Sequence, residues 1–240
     1  LGFSKEVPLL GGGRGGFFSC SCLLHSAQSG CRWGCRVHGL LLGSRVMKTR
    51  IDAAEGLIFD CDGTLADTMP LHWDAWHETF AEVGLSLPPN FLHQFCGVPS
   101  RVIVETYNAQ FGTTFDPVRF SLEKQSRVRT KLEHSSRIHV IADVVDANLG
   151  RLPMAVASGG TRFNVDLILN AIGLGHAFDT IVTADDDVAA KPAPGIFLET
   201  ARRLGVAAER CLVFEDGDPG ILAAQRAGMP FVDVREVLAS

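Results

Sequence analysis

No apolar run in the 240-residue chain approaches the roughly 18 residues that a membrane-spanning helix needs, which excludes that class. Seven cysteines are too few and too unevenly placed for a disulfide scaffold. Basic charge is also short. The 22 Lys and Arg face 27 Asp and Glu, a net of −5, which argues against a dedicated nucleic-acid binder. No internal repeat and no low-complexity tract follows residue 50, so a solenoid or array is excluded. What is present is bulk: 46% of residues are apolar, enough for a real core and too many for wholesale disorder. The length suits one large domain, or a core with a smaller insert.

The first fifty residues differ from the rest. They carry seven Lys and Arg against one acid, Glu6, a net of +6 that leaves −11 for the remainder. Four of the seven cysteines, Cys20, Cys22, Cys31 and Cys35, fall here, and glycine is dense at Gly11–Gly16. An acid-poor leader of this kind suits an organellar transit peptide. The cysteine pairs suggest a metal site, but neither has CxxC spacing. The third reading is favoured: residues 1–46 are a non-native upstream extension and Met47 is the start. On that reading the protein is cytoplasmic; a genuine transit peptide would make it organellar.

From Met47 on, strands and helices alternate. Short apolar runs at Leu57–Phe59, Met154–Ala157, Thr180–Thr183, Cys211–Phe214 and Phe231–Val234 read as buried parallel strands. Helical stripes lie between them: Phe163, Leu167, Ile168 and Ala171; then Ile196, Phe197, Thr200, Ala201 and Leu204; then Ile221, Leu222 and Gln225, stopped by Gly228. This pattern predicts an α/β fold, a Rossmann-like doubly wound parallel sheet. The gap after the first strand is too long for one crossover. Residues 69–137 hold helical patterns and no good strand, with one stripe at Trp73, Trp76, Phe80 and Val83 ended by Gly84. A later stripe runs through Val118, Leu122, Val128 and Leu132. The expected organisation is a core of 47–68 and 138–240, with 69–137 inserted as an all-helical cap.

In such a sheet, ligands bind beyond the carboxyl ends of the strands. Those ends carry Asp60-Cys61-Asp62-Gly63-Thr64, Ser158-Gly159-Gly160, Lys191-Pro192 and Glu215-Asp216. Two carboxylates two residues apart, with more acids at a neighbouring strand end, repel one another unless a cation sits among them. Hard oxygen donors suit Mg²⁺. Ser158 and the glycines after it offer a hydroxyl and backbone N–H groups to a phosphate, and Lys191 offers charge. Singly, each group is an ordinary turn, cap or solvated lysine. In order, each after a strand, they point to phosphoryl transfer.

The segment from about Glu55 to Val237 resembles the haloacid dehalogenase superfamily of phosphohydrolases on those four motifs. The insert is similar to the cap of its β-phosphoglucomutase and phosphoglycolate phosphatase type. The stretches Gly56–Asp60, Pro153–Val156 and Val213–Asp216 resemble bacterial sugar phosphatases of the fructose-1-phosphate and 6-phosphogluconate kind. The resemblance implies that Asp60 is the nucleophile and forms an aspartyl-phosphate. It implies that Asp62 protonates the leaving alcohol and then activates water. It places Mg²⁺ on the Asp60 carboxylate, the Asp62 backbone carbonyl and Asp216, with Glu215 as ligand or supporting acid. Ser158, Gly159 and Lys191 would hold the phosphoryl group, and Lys191 is expected to keep Asp60 ionised.

Three positions depart from the family pattern. Gly217 stands where serine is common, and Gly195 where aspartate follows Lys-Pro-x-Pro, a change that weakens helix capping. Thr161 stands near a lysine of the mutases, which argues against a mutase. Substrate choice belongs to the cap. There His72 faces the substrate or merely supports Trp76, and Arg101 reaches a second anionic or hydroxylated group or is an ordinary exposed arginine. Cys61 is expected beside the site without being a nucleophile. The expected function is a Mg²⁺-dependent phosphatase of small sugar phosphates. It would act as a monomer on a phosphorylated metabolite, with no nucleic-acid or membrane partner. The alternatives are a β-phosphoglucomutase-type isomerase, a phosphoglycolate phosphatase and a catalytically silent binding protein.

Overall fold

A computed structural model of the protein describes residues 38–95 and 98–239. The cysteines at 20, 22, 31 and 35 lie outside the described residues, as do residues 1–37 of the expected extension. The described chain begins in a helix, α1 (His38–Ala53), which runs through Met47 without a break. Met47 and Ile51 pack on the main apolar cluster.

Five strands build the sheet: β1 (Gly56–Phe59), β4 (Met154–Ala157), β5 (Thr180–Val182), β6 (Cys211–Glu215) and β7 (Phe231–Asp233). They pair in parallel in the order β5-β4-β1-β6-β7. Their apolar residues are consecutive because both faces are covered. On one face Leu57, Phe59, Met154, Val156, Leu212 and Phe214 pack with α5 (His139–Asn148) and α6 (Arg162–Ala171). On the other, Ile58, Val182 and Val213 meet α7 (Gly195–Leu204) and α8 (Asp218–Arg226). A short helix, α9 (Val234–Leu238), follows β7. Phe59 sits opposite Val156 and Phe214 in register, so the residues that follow these three strands meet at one edge. Among the described residues no helix is long and apolar enough to cross a membrane.

The long excursion after β1 is framed by two short strands, β2 (Ala66–Asp67) and β3 (Ser136–Arg137), paired antiparallel. The expectation of no strand within 69–137 is corrected here. A two-residue strand is too short to leave an alternating pattern. Between the two strands lie α2 (Met69–Glu82), α3 (Ser100–Phe111) and α4 (Pro117–Leu132). Asp116 caps α4 by accepting hydrogen bonds from the Val118 and Arg119 amides, with Pro117 in the first turn. These helices share an apolar cluster of their own around Phe80, whose ring meets Tyr107 at 4.5 Å and Phe120 at 5.0 Å. Burying one such side chain contributes about 1.5–3 kcal/mol. Helix α4 serves two clusters: Phe120 belongs to that of the insert, Val128 and Leu132 to that of the sheet.

Three helical stripes turn out rotated from expectation. In α4, Val118 and Leu122 are exposed, and the inward line is Phe120, Lys124, Val128 and Leu132. A lysine in that line breaks its apolar pattern. In α6, Phe163 is 58% exposed, and Asn164, Val165, Ile168 and Leu169 face inward. In α8 the buried residues are the small Gly220, Ala223 and Ala224, because this helix lies close against the sheet, while Leu222 is exposed. In α2 the C-cap Val83 is also exposed, and Ala75, Trp76, Thr79 and Phe80 are buried.

Candidate active site

The carboxyl edge of the sheet gathers Asp60, Glu215 and Asp216. Each offers an oxygen, and the three oxygens lie within 4.8 Å of one another. Asp60 follows β1, its amide bonded to the Phe214 carbonyl at 2.9 Å. Glu215 is the last residue of β6 and is buried. Two glycines make room for the acids. A Cβ on Gly220 would lie 2.0 Å from Glu215 Oε1, and one on Gly63, at φ +85°, would lie 2.2 Å from Asp216 Oδ2. The Thr64 hydroxyl donates to Asp216 Oδ1 at 3.0 Å.

Lys191 closes the cluster. Its ammonium donates to Asp60 Oδ1 at 2.6 Å and to Glu215 Oε2 at 3.1 Å. Burial alone would lower the Lys191 pKa, but the charges of Asp60 and Glu215 outweigh it and raise it. Asp60 feels opposing influences. Burial, reinforced by the Glu215 charge, pushes its pKa up, and the Lys191 ammonium pulls the other way. Burial and Glu215 likewise push Asp216 up to about 6. Fully ionised, the three carboxylates would exceed the one ammonium by two negative charges in a poorly hydrated corner, which is why burial favours the protonated forms of Asp60 and Asp216. A divalent cation would offset that excess, and all the donors are hard oxygens.

Asp62 faces a different set of groups. The Thr68 hydroxyl donates to its Oδ1 at 2.6 Å, and His72 Nε2 lies 3.6 Å away. His72 Nδ1 is 2.8 Å from Lys124 Nζ. With the ammonium donating, Nδ1 accepts, so the ring's other N–H turns toward Asp62. Burial opposes ionisation of Asp62, but His72, Thr68 and Lys124 together hold its pKa below the ordinary value. Burial drops Lys124 to about 8, against the pull of Asp62. Lys124 also sits over the Trp76 ring at 5.6 Å. Sequence reasoning missed this lysine. Its signal was position: it falls in phase with Phe120, Val128 and Leu132, four residues apart.

Ser158 is fully buried after β4, and its Oγ accepts from the Gly160 amide at 3.0 Å. A Cβ on Gly160 would lie 3.7 Å from Asp62 Oδ2, so this loop borders the second carboxylate; one on Gly159 would meet only open space. Thr161 caps α6, its hydroxyl accepting from the Asn164 amide. Helix α7 starts at Gly195 with no side-chain cap. Burial raises the Cys61 thiol pKa, helped by Asp62 and Asp60, which keeps the sulfur protonated. Arg101 stands apart. It is exposed and pairs with Glu105 one turn along α3 at 3.6 Å; among the described residues no bond joins it to the carboxylates.

A family model described as haloacid dehalogenase-like hydrolase matches residues 57–234. The chain belongs to this family. It is an enzyme of the phosphoric monoester hydrolase type. It is 41% identical over 180 residues to the fructose-1-phosphate phosphatase YqaB of Escherichia coli, covering 75% of this chain and 96% of that one. Among solved structures it is similar to CbbY from Rhodobacter sphaeroides in complex with phosphate. The TM-score is 0.65 at 26% identity, over 74% of this chain and 84% of that one. A β-phosphoglucomutase from Clostridium difficile gives a TM-score of 0.64 at 27% identity, over 75% and 84% of the two chains.

Proposed function

We propose that the protein is a Mg²⁺-dependent phosphatase of small sugar phosphates, of the fructose 1-phosphate or 6-phosphogluconate kind. One observation carries the reading: two carboxylates two residues apart face opposite surroundings. Asp60 lies with Lys191, Glu215 and Asp216, while Asp62 lies with Thr68, His72 and Lys124. Such a division suits a nucleophile and an acid–base partner. The likeness to the E. coli fructose-1-phosphate phosphatase supports the substrate class.

Asp60, Asp216 and the Asp62 backbone carbonyl would hold Mg²⁺, with Glu215 as a further acid. Bound there, the ion supplies positive charge to the phosphoryl oxygens and to the crowded carboxylates. Asp60 Oδ attacks phosphorus and the P–O bond to the sugar breaks. Asp62, which is ionised in the free site, must first take up a proton from solvent as the ester binds, and then gives it to the departing alkoxide. Water then attacks the aspartyl-phosphate and loses a proton to Asp62, which releases phosphate and restores Asp60. Ser158, Gly159 and Lys191 bind the transferring group, and the helical insert covers it from bulk water. His72 and Lys124 orient Asp62 and border the sugar. Thr161, occupied as a helix cap, brings no cation to a second phosphate, which favours the phosphatase over the mutase.

The test is phosphate release with Mg²⁺ from fructose 1-phosphate, 6-phosphogluconate, β-glucose 1-phosphate and phosphoglycolate, for the wild type and Asp60→Asn. Release from one of the two sugar phosphates named first, abolished in the variant, is expected. Release from none of the four, or an undiminished rate in Asp60→Asn, would overturn the reading.

A further inference from the structure

A cavity of about 520 Å³ opens on the side of the molecule where β2 and β3 pair. It is lined by Asp67 from β2, Ser136 and Arg137 from β3, His139 from α5, Arg235 and Leu238 from α9, and by Gly63 and Asp216. None of Asp60, Ser158, Lys191 or Lys124 lines it. Asp216 is therefore reached from two sides: it shares the acidic cluster with Asp60, and it also faces this second opening.

The charges around the opening favour a cation. Arg137 is held by Asp146 at 3.0 Å and by the Ile172 carbonyl. Arg235 is held by Asp218 at 2.7 Å and by Asp233 at 2.8 Å. Both arginines are thus neutralised by acids outside the cavity. Asp67 is exposed, and among the described residues its carboxylate has no ion pair or hydrogen bond. Asp67 and Asp216 are thus the lining carboxylates that a cation would meet, the two lining arginines being engaged by acids outside the cavity. Size permits it as well. A water occupies roughly 30 Å³, so a hydrated divalent ion with about six waters fits with space to spare. The glycine at position 63 keeps the space beside Asp216 open, because any side chain there would strike that carboxylate.

We propose that this cavity is the entry and exit path of the divalent cation, with Asp67 as its capture residue, so that metal and phosphate ester reach Asp216 and Asp60 from separate sides. The inference rests on the metal reading above and goes beyond it. It assigns Asp67 a role in the rate of loading and none in the bound ion's coordination.

The test uses Mn²⁺ as the probe, without substrate. Association is followed by tryptophan fluorescence after rapid mixing, and release by an indicator chelator that takes up the freed ion. In Asp67→Asn association and release are both expected to slow by about the same factor, roughly three-fold at low ionic strength, with Kd unchanged and the difference closing in high salt. In Leu238→Trp, which narrows the cavity, association and release should slow by the same factor at unchanged Kd. An obstructed path alters rates and leaves the equilibrium alone, whereas a damaged site changes Kd. Ser136→Trp gives the same comparison should the first variant fold poorly, as judged by circular dichroism. Unaltered rates in folded Asp67→Asn and in a folded tryptophan variant would overturn the path while leaving the metal site standing. Failure of the wild type to bind Mn²⁺ at all would overturn the metal site itself, and the path with it.

Discussion

Lys124 is buried at a cost that Asp62 offsets only in part. Its pKa of about 8 means that it is charged at neutral pH and begins to lose its proton just above. The catalytic rate should follow that proton. In the wild type, kcat/KM is expected to fall above about pH 8, as His72 loses its charged partner and Asp62 its orientation. Lys124→Met should lower kcat about ten-fold and remove that descending limb, which a pair of pH–rate profiles would check. Its Tm should hold or rise, because an apolar side chain of similar length suits a buried position better than a charge does. Asp60, Asp62, Ser158, Lys191, Glu215 and Asp216 were legible as residues because strand-end motifs are contiguous in sequence. Lys124 was not, since it lies 52 residues from its partner His72 and carries no motif. The burial that pushes the Asp60 pKa up was not legible for a related reason. Sequence shows the charges present but not how much water the fold removes from them.

At the level of elements, the strands were readable because both sheet faces are covered and, apart from the terminal Glu215 and Asp233, every residue in them is apolar or small. The helices were readable as helices but less so in orientation. A ten-residue helix such as α6 spans under three turns, so a stripe one residue to either side fits its apolar content nearly as well. In α8 the inward face was chosen by close approach, since Gly220 must lie beside Glu215. That dependence is testable. Gly220→Ala places a methyl group where the Glu215 carboxylate stands, so divalent-ion affinity should drop at least ten-fold, measured by calorimetric titration. Gly63→Ala combines a clash with Asp216 and a left-handed backbone, and should cost about 1–3 kcal/mol of stability in chemical denaturation as well as metal affinity.

Across the whole molecule, the acidic cluster ties folding to pH and to the ion. Asp216 sits at about 6 where an ordinary aspartate sits at 3.8. The metal-free fold therefore retains a proton that the unfolded chain releases. Its stabilising contribution is full below about pH 4 and is lost as the pH rises through 6. A bound divalent ion reverses the preference by favouring the ionised carboxylate. Millimolar Mg²⁺ should then raise Tm more at about pH 7.5 than at about pH 5, where protons compete for the same oxygens. Thermal melts with and without the ion at the two pH values would show an equal gain if the cluster takes no part.

Helix α4 plants Phe120 among the aromatic rings of the insert and Leu132 against the sheet, with Lys124 one turn from the first of them. Twelve residues of helix measure about 18 Å and do not compress. On the proposed function the helix is thus a ruler laid beside the bound sugar, with a charged mark at a fixed graduation. An ester too bulky to let the ruler lie flat can still have its phosphate gripped by the sheet edge, yet its Lys124 mark falls short of His72. Such a compound would be a competitive inhibitor and not merely a poor substrate, because the phosphate is held at one end of the chamber and the sugar is gauged at the other.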